Sequence, residues 1–540
     1  MPMMRLGDRA GLRRRAGRRR LSAVVLLAVL GLVAACATPL PPPHTTLRVL
    51  ASSELADMGP LLDDLRRETG IELVMEHRGT IDATNALNPG DYRHDIAWLS
   101  TDRYFELKLK QIGFTGERPI SSRFMFSPLA IGVKPAVAEL LRATTTDQHL
   151  SWADLADLSA MGMVRFGMAD PKHASSALSA LIGVATAAAG TGGALREEDI
   201  SCDRLRGFFA GRTLTGDTSR RLADSYAANQ DDADALINYE SVLLSLNASG
   251  KLREPLEILY PRDGIVLADY PMLLLDPAKR DSYEAVVNWF KSEQGQRKIM
   301  ERTLRRPLDS QVPRDPRFGE FSTNTLYFPE RKETIDRLAA EYSRPQSRDP
   351  SHVIFVLDFS ASMSGPRIAA LRSAFAGFSG ADPSAVGKFV RFYKGEMVTI
   401  MRFGGHVLDE RDFTITGQAD LKAVQDYIAA DRFDQTTGVW SALEAAYAKA
   451  AAATRDHPEQ PVTIMLMTDG ENNAGISLQD FLRNHQARDP AAKAVHTYTV
   501  RFGEANPGEL DQAARATGGR MVDANATSLS EAFKEIRGCR

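Results

Sequence analysis

The chain is poor in cysteine. Its 540 residues include three, at positions 36, 202 and 539, and none of them falls at metal-ligand spacing, which excludes a cysteine-based metal module. Catalytic signatures are missing too. There is no His-Glu-x-x-His, no Gly-x-Ser-x-Gly elbow and no phosphate-binding Walker loop; Gly387-Lys388 has neither the spacing nor the following Ser or Thr. The ten histidines are scattered, as structural or surface residues are. The reading is therefore not an enzyme. No basic cluster with interleaved aromatics occurs, which excludes nucleic acid as a partner. The apolar run Leu21 to Ala35 has 15 residues, short for the roughly 20 that a membrane-spanning helix needs. No internal repeat or low-complexity tract stands out.

That run has a different purpose. Residues 1–20 hold eight Arg against one Asp, and a basic start followed by a short apolar core and small residues is a signal peptide. The ending Val33-Ala34-Ala35-Cys36 resembles the bacterial lipobox. The resemblance implies cleavage after residue 35 and lipid attachment at Cys36, with 36–45 a Pro-rich tether. Arg18-Arg19-Arg20-Leu21-Ser22 loosely resembles a twin-arginine export signal. Formal charge is −3 for the whole chain, and losing the basic leader brings the mature chain to about −10. Cys202 and Cys539 then remain as an even pair in an oxidising compartment, either a disulfide or two separate thiols.

From residue 46 the pattern alternates between apolar strands and amphipathic helices, the mark of an α/β fold. Strands at Thr46–Ala51, Ile71–Met75 and His94–Leu99 alternate with helices, one of them opened by Ser52-Ser53 as a cap, which predicts a parallel sheet covered on both faces. An amphipathic helix over Tyr283–Met300 closes the segment before Arg305-Arg306-Pro307. The order of Ser52-Ser53, Gly79-Thr80, Ser127-Pro128, Ser175-Ser176, Asn238-Tyr239 and Asp269-Tyr270-Pro271 over 46–310 resembles bacterial extracellular solute-binding proteins of the type II periplasmic fold. That resemblance implies two lobes around a cleft. Carried onto this sequence, the candidate ligand residues are Ser52, Ser53, Thr80, Ser175, Ser176 and Tyr239, for a small molecule or an oxyanion. Glu54 beside them would repel an anion.

Residues 311–350 read as a Pro-broken connector with one helix, and 351–540 as a second, doubly wound α/β domain. Its first strand, Val353-Ile-Phe-Val-Leu, ends in Asp358-Phe-Ser360-Ala-Ser362. An acid and two hydroxyls at the carboxyl end of a sheet strand suit a hard divalent cation. With Thr437, and with Thr468-Asp469-Gly470 after another apolar strand, this pattern resembles the von Willebrand factor type A domain with a complete metal-ion-dependent adhesion site. The resemblance implies Mg²⁺, or Mn²⁺ or Ca²⁺, held by Asp358, Ser360, Ser362, Thr437 and Asp469, with one position left for an acidic side chain of a protein partner. The expected protein is lipid-anchored outside the cytoplasm, in the cell membrane or outer membrane. It binds a protein through the second domain; the alternative is the receptor of an ABC transporter.

Overall fold

A computed structural model describes residues 45–145, 149–200, 202–321, 325–343 and 350–537. Cys36 and Cys539 lie outside this range, and with them the expected lipid attachment and the choice between a Cys202–Cys539 disulfide and two separate thiols.

The first domain has two lobes, each on its own sheet. In one lobe the order is Ile71–Arg78, Thr45–Ser52, Ile96–Trp98, Met272–Leu274, Ile120–Ser122. The first three strands pair in parallel, as the alternation predicts. Met272–Leu274 and Ile120–Ser122 pair antiparallel, against the expectation of a parallel sheet throughout. The physical reason is connectivity: the chain leaves for the other lobe after Ser122 and returns only at Met272. The second lobe centres on Met125–Val133, which pairs antiparallel with Ala235–Tyr239, Glu257–Leu259, Leu267–Ala268 and Arg306–Pro307. Of its nine residues only Ser127 has a side-chain nitrogen or oxygen, and a strand that apolar is buried on both faces.

Two helices differ from expectation. Ser52 makes no cap; a short 3-10 turn, Ser53–Met58, precedes the helix Gly59–Thr69, because the Ser52 hydroxyl is engaged elsewhere. The segment Tyr283–Met300 is two helices, Arg280–Lys291 and Glu293–Thr303. They part at Ser292, whose hydroxyl accepts from Gly295 N and caps the second.

In the second domain six strands run in the order Val407–Thr414, Met397–Phe403, His352–Asp358, Val462–Thr468, His496–Arg501, Met521–Asp523. All pairs are parallel except the edge pair with Val407–Thr414. His352–Asp358 is central and wholly buried. On one face Phe355 meets Phe375, Phe378, Phe392 and Phe533 at ring-centroid distances of 5.0–6.5 Å.

The domains are joined at the start of these strands. The helix Ala385–Val390 packs on Trp152–Ala160 of the first domain, with ion pairs Lys388–Asp154 and Arg391–Asp157. Ser351 and Tyr393 lie at that end, paired through their hydroxyls at 2.9 Å. Asp358 ends the strand that starts at His352, about 20 Å further along at roughly 3.3 Å per residue. The Asp358 loop therefore faces away from the first domain.

Candidate metal centre and interlobe hydroxyl chain

Three loops meet at the carboxyl end of the second sheet. Ala361 N donates to Asp434 O at 2.7 Å, Asp434 N to Phe359 O at 3.0 Å, and Phe359 N to Phe403 O at 2.7 Å. These bonds fix the Ser360–Ser362 turn against the loop that carries Thr437. Asn473, just beyond Asp469, holds the same loop from the other side: its Oδ1 accepts from Thr437 N at 2.8 Å, and its N–H donates to Thr437 O at 2.9 Å.

Four of the five sequence-predicted residues form one hydrogen-bonded set. Asp358 Oδ1 accepts from Ser360 N at 2.7 Å, and its Oδ2 from the Thr468 hydroxyl at 2.6 Å. The Ser360 and Ser362 hydroxyls are 2.9 Å apart, and Ser362 donates to Asp469 Oδ1 at 2.8 Å. Thr437 faces the same space: a Cβ placed on Gly470 would lie 3.7 Å from Thr437 Oγ1 and 3.8 Å from Ser362 Oγ. Thr436 points instead toward Gly405. Asp358 and Asp469 are both fully buried, while Ser362 is exposed. Burial pushes the Asp358 carboxyl up to about 6; the Asp469 charge adds to this, and the bonds from Thr468 and Ser360 act against it.

Arg367 and Glu504, which the motif did not name, complete the electrostatics. Arg367, in the first turn of the helix Pro366–Ala376, donates to Asp469 Oδ2 and to Glu504 Oε2, each at 2.5 Å. Asp358 has no such basic partner among the described residues. Thr468 fixes the rotamer of Asp358. Position alone signalled Arg367, just past Gly365-Pro366 and on the helix that follows the motif.

The donor set tests the metal expectation. No group of three or more His, Cys, Asp or Glu is arranged as a metal site among the described residues. What converges is two carboxylates and three hydroxyls, all oxygen, with one buried carboxylate lacking a cation. That set fits a hard divalent ion that keeps some of its water, and does not fit zinc or copper.

In the first domain, four of the six predicted ligand residues lie on one buried chain of hydroxyls. Ser52 pairs with Thr80 at 2.6 Å, Thr80 with Ser100 at 2.8 Å, Ser100 with Ser175, and Ser175 with Tyr239 at 2.8 Å. Ser100 N also donates to Ser52 Oγ at 2.8 Å. The link from Ser100 to Ser175 crosses from one lobe to the other. Ser53 and Ser176 are not part of it: Ser53 donates to Glu54, and Ser176 pairs with Ser219. Ser100, absent from the predicted set, is the centre of the chain. Its signal was a hydroxyl two residues after the strand Ile96–Trp98, at the strand end where such sheets place ligands.

Comparison with known proteins follows this division. Residues 47–302 match the family described as bacterial extracellular solute-binding protein, and residues 352–537 the von Willebrand factor type A domain. Solved structures similar to this chain include the periplasmic binding protein AfuA from Actinobacillus pleuropneumoniae, with exogenous fructose-6-phosphate bound. It is 14% identical, with 55% of this chain and 97% of that one covered at a TM-score of 0.43. Iron-bound HitA from Pseudomonas aeruginosa is 16% identical over 55% of this chain and 97% of its own, at a TM-score of 0.40. No curated protein matches the chain.

Proposed function

We propose that this chain, which joins a bacterial extracellular solute-binding domain to a von Willebrand factor type A domain, is an extracytoplasmic binding protein. In this reading its second domain captures an acidic side chain of a protein partner through a divalent cation. Both domain types are binding modules. The observation that carries the reading is the convergence of Asp358, Ser360, Ser362 and Asp469 at the sheet end remote from the first domain. Asp358, Ser360, Ser362, Thr437 and Asp469 would hold Mg²⁺. Bound there, the ion supplies a Lewis-acidic position for a partner carboxylate. The protein's own contribution is positional: Thr468 and the Ser360 N–H hold Asp358, and Asn473 holds the Thr437 loop. The cleavage site and Cys36 would tether the mature chain by lipid to the cell membrane or outer membrane, with the metal loops directed outward.

Immobilised full chain tests this. A bacterial envelope protein retained in Mg²⁺, released by EDTA and not retained by Ser362→Ala supports the reading. Retention indifferent to both defeats it. Labelling with a lipid precursor, lost in Cys36→Ser, tests the tether.

One observation favours a second reading, a receptor that passes a solute to an ABC permease. The hydroxyls of Ser52, Thr80, Ser175 and Tyr239 converge across the lobes, where a solute would be held. Uptake of a solute that is lost when the chain is deleted would favour it.

A further inference from the structure

The connector lays one helix across both lobes of the first domain. In Lys332–Ser343 the apolar residues Ile335, Leu338 and Tyr342 stand three and four apart, on one helix face. All three are buried in the same core as side chains of the first domain. The start of the helix holds the lobe of Thr45–Ser52. There the Tyr104 hydroxyl donates to Asp336 Oδ1 at 3.3 Å, and Gln111 Nε2 donates to Glu333 Oε1 at 3.0 Å. Lys332 Nζ lies 5.1 Å from the centre of the Tyr104 ring. The far end holds the other lobe. The Tyr342 ring meets Phe209 edge-on with centroids 4.7 Å apart, and the Arg212 guanidinium lies 4.6 Å from the Tyr342 ring centre. Just before the helix, Arg331 pairs with Glu197 of that second lobe at 3.5 Å.

The lobes are also closed on each other. Ile81 N donates across the seam to the His173 carbonyl at 3.1 Å, and His173 Nδ1 lies 3.0 Å from both carboxylate oxygens of Asp82. Gly79 permits this approach, because a Cβ there would collide with the His173 carbonyl oxygen. Ser100 and Ser175 pair across the same seam, so these hydroxyls are spent on each other. The segment crossing from Leu267–Ala268 to Met272–Leu274 is pinned as well. Asp269 N and Tyr270 N both donate to Ser100 O, at 3.0 and 3.2 Å, and Tyr270 has a φ of 43°. A bulky aromatic keeps that left-handed backbone only where its surroundings over-determine it. A mouth of about 920 Å³ lies outside the seam, between Arg78 and Asp82 on one side and Asp217 and Arg221 on the other.

A two-lobed domain that traps a ligand by hinge closure needs its lobes free to part, with the ligand's contacts shifting the balance toward the closed state. Here the protein's own atoms make the contacts across the seam, and a helix outside the crossing segment grips both lobes. We infer that Lys332–Ser343 is an interlobe strap that holds the first domain shut through these contacts, with no solute needed, and makes it a rigid mount. The second domain sits on the second lobe through Trp152–Ala160, so the strap also fixes the first lobe relative to the metal loops. Nothing in this depends on the metal centre, whereas the receptor reading needs lobes that open.

The test is hydrogen–deuterium exchange of the full chain in buffer alone, read at the Ile81 amide. Its acceptor lies in the other lobe, so parting of the lobes exposes it. In the wild type Ile81 is expected to exchange about a hundredfold or more slowly than an unstructured amide. Tyr342→Ala, which removes the grip on the second lobe, should speed that exchange about tenfold or more while the strands Thr45–Ser52 and His352–Asp358 stay protected. Arg337 is exposed, and Arg337→Pro breaks the helix from that side, which gives the same comparison if Tyr342→Ala does not fold. Free exchange at Ile81 in the wild type overturns the inference, and so does unchanged exchange in both variants. Loss of protection in Thr45–Ser52 in both variants would make the helix part of the core rather than a strap, and overturns it too. Each of these failures leaves the metal reading standing.

Discussion

Arg367 Nη1 donates to Asp469 Oδ2 at 2.5 Å while its Nη2 donates to Glu504 Oε2 at the same distance. A guanidinium thus already neutralises one of the two carboxylates proposed to hold a metal. A divalent ion arriving there meets a positive charge a few ångströms away, a repulsion on the order of 1–4 kcal/mol at intermediate dielectric. Arg367→Gln should therefore bind Mg²⁺ about tenfold or more tightly than the wild type, measured by titration calorimetry at fixed salt. Weaker binding would mean that Arg367 serves to orient Asp469.

Phe355 is fully buried and touches four aromatic rings drawn from different parts of the second domain. Phe355→Ala leaves a cavity that such a cluster closes poorly, and should cost about 3–5 kcal/mol in urea unfolding. A loss under about 1 kcal/mol would show that the site collapses freely.

His352 is buried at the start of the central strand and pairs through Nε2 with the Thr399 hydroxyl at 2.7 Å. Burial lowers its pKa, opposed by Asp412. The folded chain therefore binds a proton there less readily than the unfolded chain does. The stability held by the neutral ring is fully present above the ordinary histidine pKa of about 6.5 and is lost as pH falls below it. Between pH 7.5 and 5, His352→Gln should lose less stability than the wild type, by chemical denaturation at each pH. Equal slopes would mean that His352 does not titrate on unfolding.

Much of this was legible in the residues, for reasons that vary with position. The strand Val353–Leu357 is apolar at every place, so burial on both faces and the loop after Asp358 followed directly. The edge strand Val407–Thr414 was not visible: Glu410, Arg411 and Asp412 are exposed in succession and break the period that marks a strand. Ser52 reads as a helix cap from its neighbours alone; only the fold brings Thr80 and Ser100 to its hydroxyl. Arg367 and Glu504 lie 137 residues apart and carry no motif that pairs them. Tyr270 shows nothing in sequence of the backbone it adopts.

The most direct measurement is titration of Mg²⁺ into the metal-stripped full chain, beside Asp358→Asn and Ser362→Ala. Ser362 is exposed, so its substitution leaves the core untouched. The expected result is saturable one-site binding in the wild type, weakened at least tenfold in both variants. No binding in the wild type, or equal binding in the folded variants, contradicts the proposed metal centre.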